Sequence, residues 1–261
     1  MLIFNVPIKA SDSFRIVADW ISNLVIKPVK KNANAKFHFV YFSYKPDFDY
    51  LNLSIQSLVN HIDSEKIGSV NLFVDQKAPF NTNQIDKLKK ICPKLAIHRV
   101  YEFAWASTET TMAEITSFLK VCENAEEHDF IVKVDSDILF FRNKRLSRML
   151  TSKYDAVGDG HHLQYKYAQG GLYMIRAAVI RDVFNTIEKK HVKEVELHCG
   201  TKGEDRVIST LLAQAESPFY LTRLMLFPDE YKIMKKLPKL VRWEFCAKHF
   251  VKDKHNMSKS S

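Results

Sequence analysis

The sequence predicts a single Rossmann-type α/β domain with a mostly parallel central sheet flanked by helices. Segments with strand-like and helix-like patterns alternate between Phe37 and Phe141, and the connections between them are short. This order is typical of parallel sheets whose faces are covered by helices. The chain of 261 residues is 46% hydrophobic, which is enough for one substantial core. No apolar run approaches the ~18 residues that a membrane-spanning helix needs.

The first half of the predicted sheet begins at residues 37–44, where aromatic and β-branched residues follow one another. The spacing of apolar residues then predicts, in order, a helix over 51–62, a strand over 70–74, a helix over 83–91, a strand over 95–101 and a helix over 108–124. Ligands bind at the carboxyl ends of the strands in such sheets. Tyr44 and Asp75 are therefore expected at the ligand-binding edge.

The second half of the domain continues from a buried strand that begins at Phe130. The segments after it are predicted, in order, as a helix over 142–150, a strand over 155–157, a strand after Gly170 and Gly171, a helix over 177–190 and a helix from Glu204 to Ala215. Two adjacent glycines allow close approach of the backbone to a ligand. The glycine pair is therefore expected beside the binding site.

Two acids, Asp135 and Asp137, stand one residue apart in a turn at the end of the strand that begins at Phe130. Two carboxylates next to a buried strand are unfavourable unless a cation or hydrogen bonds neutralise them. Hard divalent ions such as Mg²⁺ and Mn²⁺ take oxygen ligands. The Asp-x-Asp pattern therefore favours a metal site that holds a diphosphate, although such triplets also occur in ordinary surface turns.

A second pair of acids, Glu204 and Asp205, follows Gly203 at the start of a predicted helix. The helix dipole favours acids at this position, and this is a sufficient structural explanation for either acid alone. Both acids together after a glycine make a stronger case for a catalytic role.

Late in the chain, His249 lies between apolar residues and is a candidate metal ligand. The adjacent histidines at 161–162 are rival candidates for the same role.

Taken in order, the Asp-x-Asp, the strand after Gly170–Gly171, the Gly203–Asp205 segment and the late His249–Phe250 resemble the GT-A family of nucleotide-sugar glycosyltransferases. The resemblance is a sparse pattern that spans roughly residues 37–250. Its pieces are similar to those of inverting galactosyl- and N-acetylhexosaminyltransferases. It implies a GT-A-like catalytic domain that moves a hexosyl or N-acetylhexosaminyl unit from a nucleotide-diphospho-sugar to a hydroxyl of a glycan or glycolipid acceptor. The compact chain, the lack of an anchor and the basic end favour a place in bacterial surface polysaccharide or lipopolysaccharide synthesis.

The resemblance also implies roles for individual residues. Asp135, Asp137 and His249 would hold Mn²⁺ or Mg²⁺, with the ribose as an alternative partner for Asp135. Asp205 would remove the proton of the acceptor hydroxyl and Glu204 would bind the acceptor sugar, and these two roles are interchangeable. Residues expected to bind the nucleotide are Tyr41, Phe42, Ser43, Asp75, Lys133, Asp135 and Ser136. For the two aromatic residues, a place in the core is an equally good interpretation.

Three other classes of protein share parts of this pattern. A phosphatase that uses Asp-x-Asp would carry Thr or Val two positions after the second acid, where Leu139 stands. A sugar nucleotidyltransferase would carry a glycine-rich basic loop after the first strand, where this chain has Lys45-Pro46-Asp47. A non-catalytic carbohydrate- or membrane-binding protein is not distinguished from an enzyme by the spacing alone.

Positive charge is concentrated at the two ends of the chain. Residues 232–261 hold nine Lys or Arg against two acids, and residues 1–36 hold six against two, in a chain with a net charge of +9. A basic end that also contains apolar residues suits an anionic membrane surface. No nucleic-acid motif accompanies the charge, so nucleic acid is not an expected partner. We predict an N-terminal helical extension over 1–36 and a basic C-terminal tail over 251–261.

The cysteines and the N-terminus indicate a cellular compartment. Cys92, Cys122, Cys199 and Cys246 are far apart and form no C-x-x-C pair, which predicts reduced thiols rather than a disulfide framework or a zinc site. The N-terminus lacks the ordered basic, apolar and cleavage regions of an export signal. The sequence therefore predicts a cytoplasmic protein, with peripheral contact at the inner face of the cell membrane through its basic end.

Overall fold

The computed structural model describes residues 34–100, 106–160, 167–230 and 245–250. Within these ranges the chain forms a seven-stranded main sheet and a three-stranded second sheet. The strands are β1 (Phe37–Ser43), β2 (Ile67–Asp75), β3 (Leu95–Val100), β4 (Phe130–Val134), β5 (Ile138–Phe140), β6 (Ala156–Asp159), β7 (Leu172–Arg176), β8 (Tyr220–Thr222), β9 (Met225–Leu226) and β10 (Ala247–His249). The α-helices are α1 (Phe48–His61), α2 (Thr82–Ile91), α3 (Thr108–Cys122), α4 (Lys144–Leu150), α5 (Ala177–Phe184), α6 (Lys189–Cys199) and α7 (Glu204–Gln214).

The main sheet confirms the predicted α/β fold class. Its strand order is β3-β2-β1-β4-β7-β6-β8. The first four strands in this order run parallel, β7 runs antiparallel to both β4 and β6, and β8 is parallel to β6. The carboxyl ends of β1, β2 and β4 therefore meet at one edge of the sheet, as the sequence predicts.

Both faces of the main sheet are buried, which explains why its central strands are apolar on both sides. On β1, Phe37, Phe39 and Tyr41 belong to the core cluster that also contains residues of α1 and α2. Val40, from the other face of the same strand, packs in a second cluster with residues of α3, α5 and α7. The two clusters make up a three-layer domain of helices, sheet and helices.

The apolar run from Phe130 to Phe141 does not form one continuous strand. It divides into β4, in the main sheet, and β5, in the second sheet, and the turn between them carries Asp135 and Asp137. In the second sheet β10 lies between β5 and β9, antiparallel to β5, with His249 opposite Ile138. This pairing brings the C-terminal part of the domain next to the acidic turn.

The helix predicted over 177–190 is wrong in its extent, because two separate helices, α5 and α6, occupy this region. A new helix begins after Glu188, whose side chain caps the backbone of the first turn of α6. The Glu188 N–H in turn donates to Nδ1 of His191 at 3.1 Å, which completes a capping box. The helix ends at Gly200, which has a left-handed φ of 63°.

The predicted terminal segments lie largely outside the described residues. The helical extension over 1–36 overlaps the description only at residues 34–36, and the basic tail over 251–261 is not covered. Among the helices of the described ranges, none has both the length and the apolar character required to cross a bilayer. All four cysteines fall within the described ranges and are free thiols.

Candidate active site

A cavity of about 480 Å³ lies at the edge where β1, β2 and β4 end. Most of the residues that the sequence singled out border it. These are Phe42, Ser43, Asp75, Lys133, Asp135, Ser136, Asp137, Glu204 and His249. Four strands, one turn and the first residue of α7 contribute to this set, so the site exists only in the folded domain.

The three predicted metal ligands converge in this cavity. The Asp135, Asp137 and His249 side chains each offer a ligand atom, and these atoms all lie within 4.8 Å of one another. Nε2 of His249 is 3.3 Å from Oδ1 of Asp137, and the backbone N–H of Phe250 donates to the carbonyl of Asp137 at 3.1 Å. Two carboxylates and an imidazole fit a divalent ion such as Mn²⁺, which accepts both oxygen and nitrogen ligands.

The electrostatics of His249 agree with a site built for positive charge. Burial alone lowers the pKa of His249, but the carboxylates of Asp137 and Asp135 more than offset this, so the net effect is a raised pKa. A metal ligand must be the neutral imidazole. Metal binding at this site would therefore release a proton from His249 at acidic pH.

Gly171 allows the close approach of His249. A Cβ at position 171 would lie 3.2 Å from Nδ1 of His249 and 3.2 Å from Cε of Met225. A Cβ at the neighbouring Gly170 would have Cβ of Asp205 as its nearest atom, at 3.5 Å, an ordinary contact. Gly171 therefore leaves the space that the imidazole of His249 occupies.

We expect Gly171→Ala to weaken Mn²⁺ binding by about 10-fold, the lower end of the range for displaced metal-site supports. The added methyl requires the imidazole and the Met225 side chain to give way by a few tenths of an ångström, which disturbs the ligand geometry. The measurement is a Mn²⁺ titration followed by electron paramagnetic resonance. Gly170→Ala is the matched control and should change the affinity less than twofold, so an equal loss in both variants would contradict this explanation.

Lys133 is a buried cation at the centre of the site. Its Nζ donates to Oδ1 of Asp135 at 2.5 Å and to the carbonyl oxygen of Gly170. Burial lowers the pKa of Lys133, but the surrounding carboxylates of Asp135, Glu114 and Glu204 outweigh this and raise it. The ammonium group is therefore charged at neutral pH and lies next to the proposed metal ligands.

Glu114 is a site residue that the sequence prediction missed. It lies on α3, only 2% exposed, borders the cavity, and accepts a hydrogen bond from the hydroxyl of Tyr173. Burial raises the pKa of Glu114 to about 8, against the opposing effect of Lys133. The sequence indicates this role only weakly. Glu114 lies one helical turn after Thr110 and next to the apolar face of the helix, and an acid at such a position is usually exposed to solvent.

Tyr44, which the sequence placed at this edge, also borders the cavity. Two further bordering residues, Asp47 and Thr110, were not connected with the site by the sequence. Asp47 is 7% exposed, and its Oδ2 accepts a hydrogen bond from Oγ of Ser136 at 3.3 Å. This contact ties the loop after β1 to the middle residue of the Asp-x-Asp turn.

Glu204 and Asp205 occupy different positions at the start of α7. Glu204 borders the cavity, whereas the side chain of Asp205 packs against Gly170 and accepts a hydrogen bond from the Arg206 N–H at 2.8 Å. Burial, followed by the nearby charge of Glu204, raises the pKa of Asp205 to about 6. A carboxylate with this pKa is ionised at neutral pH yet more basic than an ordinary aspartate.

Tyr41 is the one predicted nucleotide-binding residue that the structure separates from the site. Its side chain is fully buried, and its hydroxyl accepts a hydrogen bond from Oγ of Ser54 at 3.2 Å. Successive side chains of a strand point to opposite faces, so Tyr41 packs towards α1 while Phe42 borders the cavity. The core interpretation therefore holds for Tyr41. The histidines at 161–162, the rival metal ligands, lie outside the described residues.

No family model matches the chain, and no curated protein matches its sequence. Solved structures do match. The galactosyltransferase LgtC, in complex with donor and acceptor sugar analogs, aligns over 85% of this chain and 94% of its own, with a TM-score of 0.56 and 12% identity. The chain has the GT-A fold. Mouse xyloside xylosyltransferase 1 aligns over 84% of this chain and 98% of its own, with a TM-score of 0.53 and 6% identity.

A third GT-A match is longer than the present chain. The bifunctional glycosyltransferase WbbM aligns over 87% of this chain but only 47% of its own, with a TM-score of 0.53 and 11% identity. Identities this low establish the GT-A fold alone, because one fold supports many functions. The function must therefore be argued from the residues of the site.

Proposed function

We propose that the protein is a metal-dependent glycosyltransferase that moves a hexosyl or N-acetylhexosaminyl unit from a nucleotide-diphospho-sugar to a hydroxyl of a glycan or glycolipid acceptor, with inversion. The observation that carries this proposal is the convergence of Asp135, Asp137 and His249 in the cavity at the carboxyl edge of the sheet. An Mn²⁺ or Mg²⁺ ion held there would neutralise the negative charge that develops on the departing nucleoside diphosphate.

The residues around these ligands would bind the nucleotide part of the donor. Ser43 and Asp75 lie at the ends of β1 and β2, are 2% and 6% exposed, and border the cavity together with Phe42 and Ser136. Hydroxyl and carboxylate groups at strand ends suit the hydroxyls of a ribose. Lys133 would add a fixed positive charge near the diphosphate, because its ammonium group is already held by Asp135 and Gly170.

Asp205 would act as the general base in the transfer. As the acceptor oxygen attacks the anomeric carbon, its proton would pass to the carboxylate of Asp205 while the bond to the diphosphate oxygen breaks. The raised pKa of Asp205, about 6, brings its basicity closer to neutral pH. Glu204, which borders the cavity next to it, would hydrogen-bond the acceptor sugar.

The proposed setting is the synthesis of a bacterial surface polysaccharide or lipopolysaccharide. The support for it is the basic end of the chain, which would hold the cytoplasmic enzyme at the anionic inner face of the membrane near a glycolipid acceptor. A flotation assay with vesicles containing anionic lipid would test this contact separately from catalysis.

The function is tested by thermal unfolding in the presence of nucleotide sugars, with and without Mn²⁺. A ligand at 100 times its dissociation constant stabilises the folded state by about 2.7 kcal/mol. For a domain of this size that corresponds to a rise in Tm of roughly 5–10 °C. We expect this rise only when a nucleotide sugar and Mn²⁺ are both present.

Two other results would contradict the proposal. A rise in Tm with nucleoside triphosphates plus a sugar phosphate, but not with nucleotide sugars, would indicate a nucleotidyltransferase. A rise in Tm with nucleotide sugars, without any metal-dependent release of nucleoside diphosphate, would indicate a carbohydrate-binding protein without catalysis.

A further inference from the structure

We propose that Glu114 determines the donor specificity by hydrogen-bonding a hydroxyl of the sugar that is transferred. This inference rests on the proposed function. It assigns a sugar-recognising role to a residue of α3, a helix that contributes none of the predicted metal or nucleotide ligands.

The position of Glu114 is the first argument. Glu114 and Thr110 lie one helical turn apart on α3, so both face the cavity from the same side of the helix. The ligand groups of the metal centre come instead from the β4–β5 turn and from β10. The transferred sugar must lie between the diphosphate and the acceptor. Glu114 and Glu204 both lie close enough to Lys133 to interact with it electrostatically, and Lys133 contacts Asp135.

The support around Glu114 is the second argument. Tyr173, which is 1% exposed, donates its hydroxyl proton to Oε1 of Glu114. Tyr173 is also paired with Lys133 across β7 and β4, and Nζ of Lys133 is 5.9 Å from its ring. Glu114 is therefore held by a residue of β7, the strand that pairs with β4, as expected for a group that must keep a fixed orientation.

The chemistry of the buried carboxyl is the third argument. Burying a carboxyl costs free energy unless hydrogen bonds or opposite charges compensate, and Tyr173 and Lys133 provide this compensation while Glu114 still borders the cavity. Tyr173 engages Oε1 of Glu114, and a carboxyl group has further lone pairs that can accept a hydrogen bond from a ligand. A sugar hydroxyl can donate such a bond. A site that hydrogen-bonds a hydroxyl can reject an analogue without it by a large factor.

The test uses Glu114→Gln, which keeps the size of the side chain and an acceptor for Tyr173. Binding is measured by calorimetry with Mn²⁺ and six probes: UDP, GDP, UDP-glucose, UDP-galactose, UDP-N-acetylglucosamine and GDP-mannose. For the sugar nucleotide that binds best, we expect the variant to lose about 10-fold in affinity. The affinity for the matching nucleoside diphosphate should stay within twofold.

Monodeoxy analogues of that sugar nucleotide identify the hydroxyl. One analogue should bind the wild type about as weakly as the complete ligand binds Glu114→Gln, and combining the two changes should cost little more. Glu123→Gln is the matched control, since it makes the same change at an exposed residue following the same helix and should leave all affinities unchanged.

Each contrary result has a separate meaning. Equal losses for the sugar nucleotide and the nucleoside diphosphate would overturn the inference, because Glu114 would then act through Lys133 and the metal centre. Unchanged affinities would overturn it as well. If the wild type binds none of the six probes with Mn²⁺, both this inference and the proposed function fail.

Discussion

Asp137→Ala is expected to abolish metal-dependent release of nucleoside diphosphate, with a loss of about 10³-fold or more. Asp137 is 3% exposed and provides one of the three ligand groups, and its carboxylate lies 3.3 Å from Nε2 of His249. A metal ion contributes several kcal/mol of charge stabilisation in the transition state. Each 1.36 kcal/mol corresponds to a factor of ten in rate, so losing about 4 kcal/mol gives this reduction.

The readout for this variant includes Mn²⁺ binding as well as turnover. Asp137→Asn keeps the shape of the side chain and removes its charge, so it serves if the alanine variant unfolds. Asp63→Ala is the matched control, because Asp63 is an acid paired with Lys66 at 2.7 Å, away from the cavity. Retention of full Mn²⁺ affinity in Asp137→Asn would show that the acidic turn is not a metal site.

Asp205→Asn is expected to reduce transfer by about 10²- to 10⁴-fold while leaving the affinity for the donor unchanged. General-base catalysis contributes an acceleration of this size. Asp205 lies against Gly170 beside Glu204, and its proposed contact is with the acceptor hydroxyl alone, so the donor should not depend on it for binding. Transfer is measured with a saturating donor, and the donor affinity by calorimetry. An equal loss of both would refute the role of Asp205 as base.

The pH dependence of transfer, measured with Mn²⁺ saturating at every pH, gives a second check on Asp205. Its pKa is raised to about 6, so the required carboxylate is fully formed above that pH and is lost as the pH falls through it. Transfer should therefore decrease about tenfold per pH unit below 6 in the wild type. The charge of Glu204 is a cause of the raised pKa, so Glu204→Gln should move the decrease in transfer to lower pH. If the decrease occurs at the same pH in this variant, the assignment of Asp205 as base is contradicted.

The acids that are proposed to carry the chemistry could be predicted from the sequence because their signals are local. An acid pair directly after a buried strand, and another directly after a glycine at a helix start, can be recognised without knowing where the strands lie. His249 was harder to predict as a site residue, because its only signal in the sequence was a polar side chain between apolar ones. Its place beside Asp137 depends on the pairing of β10 with β5.

Tyr41 and Phe42 illustrate a limit of strand patterns. Alternation shows that their side chains point to opposite faces of the sheet. It does not show which of the two residues borders a ligand cavity, because helices cover both faces and the whole strand is apolar. Only the packing of α1 against one face placed Tyr41 in the core beside Ser54.

By itself the sequence determined the class of fold, the order of most elements and the acids that end β4 and begin α7, because each depends on periodicity or on immediate neighbours in the chain. The tertiary structure alone decided that Lys133, Glu114 and Tyr173 form one buried group. These residues come from β4, α3 and β7. Their mutual effects depend on distance and burial, and a pattern along the chain carries neither quantity.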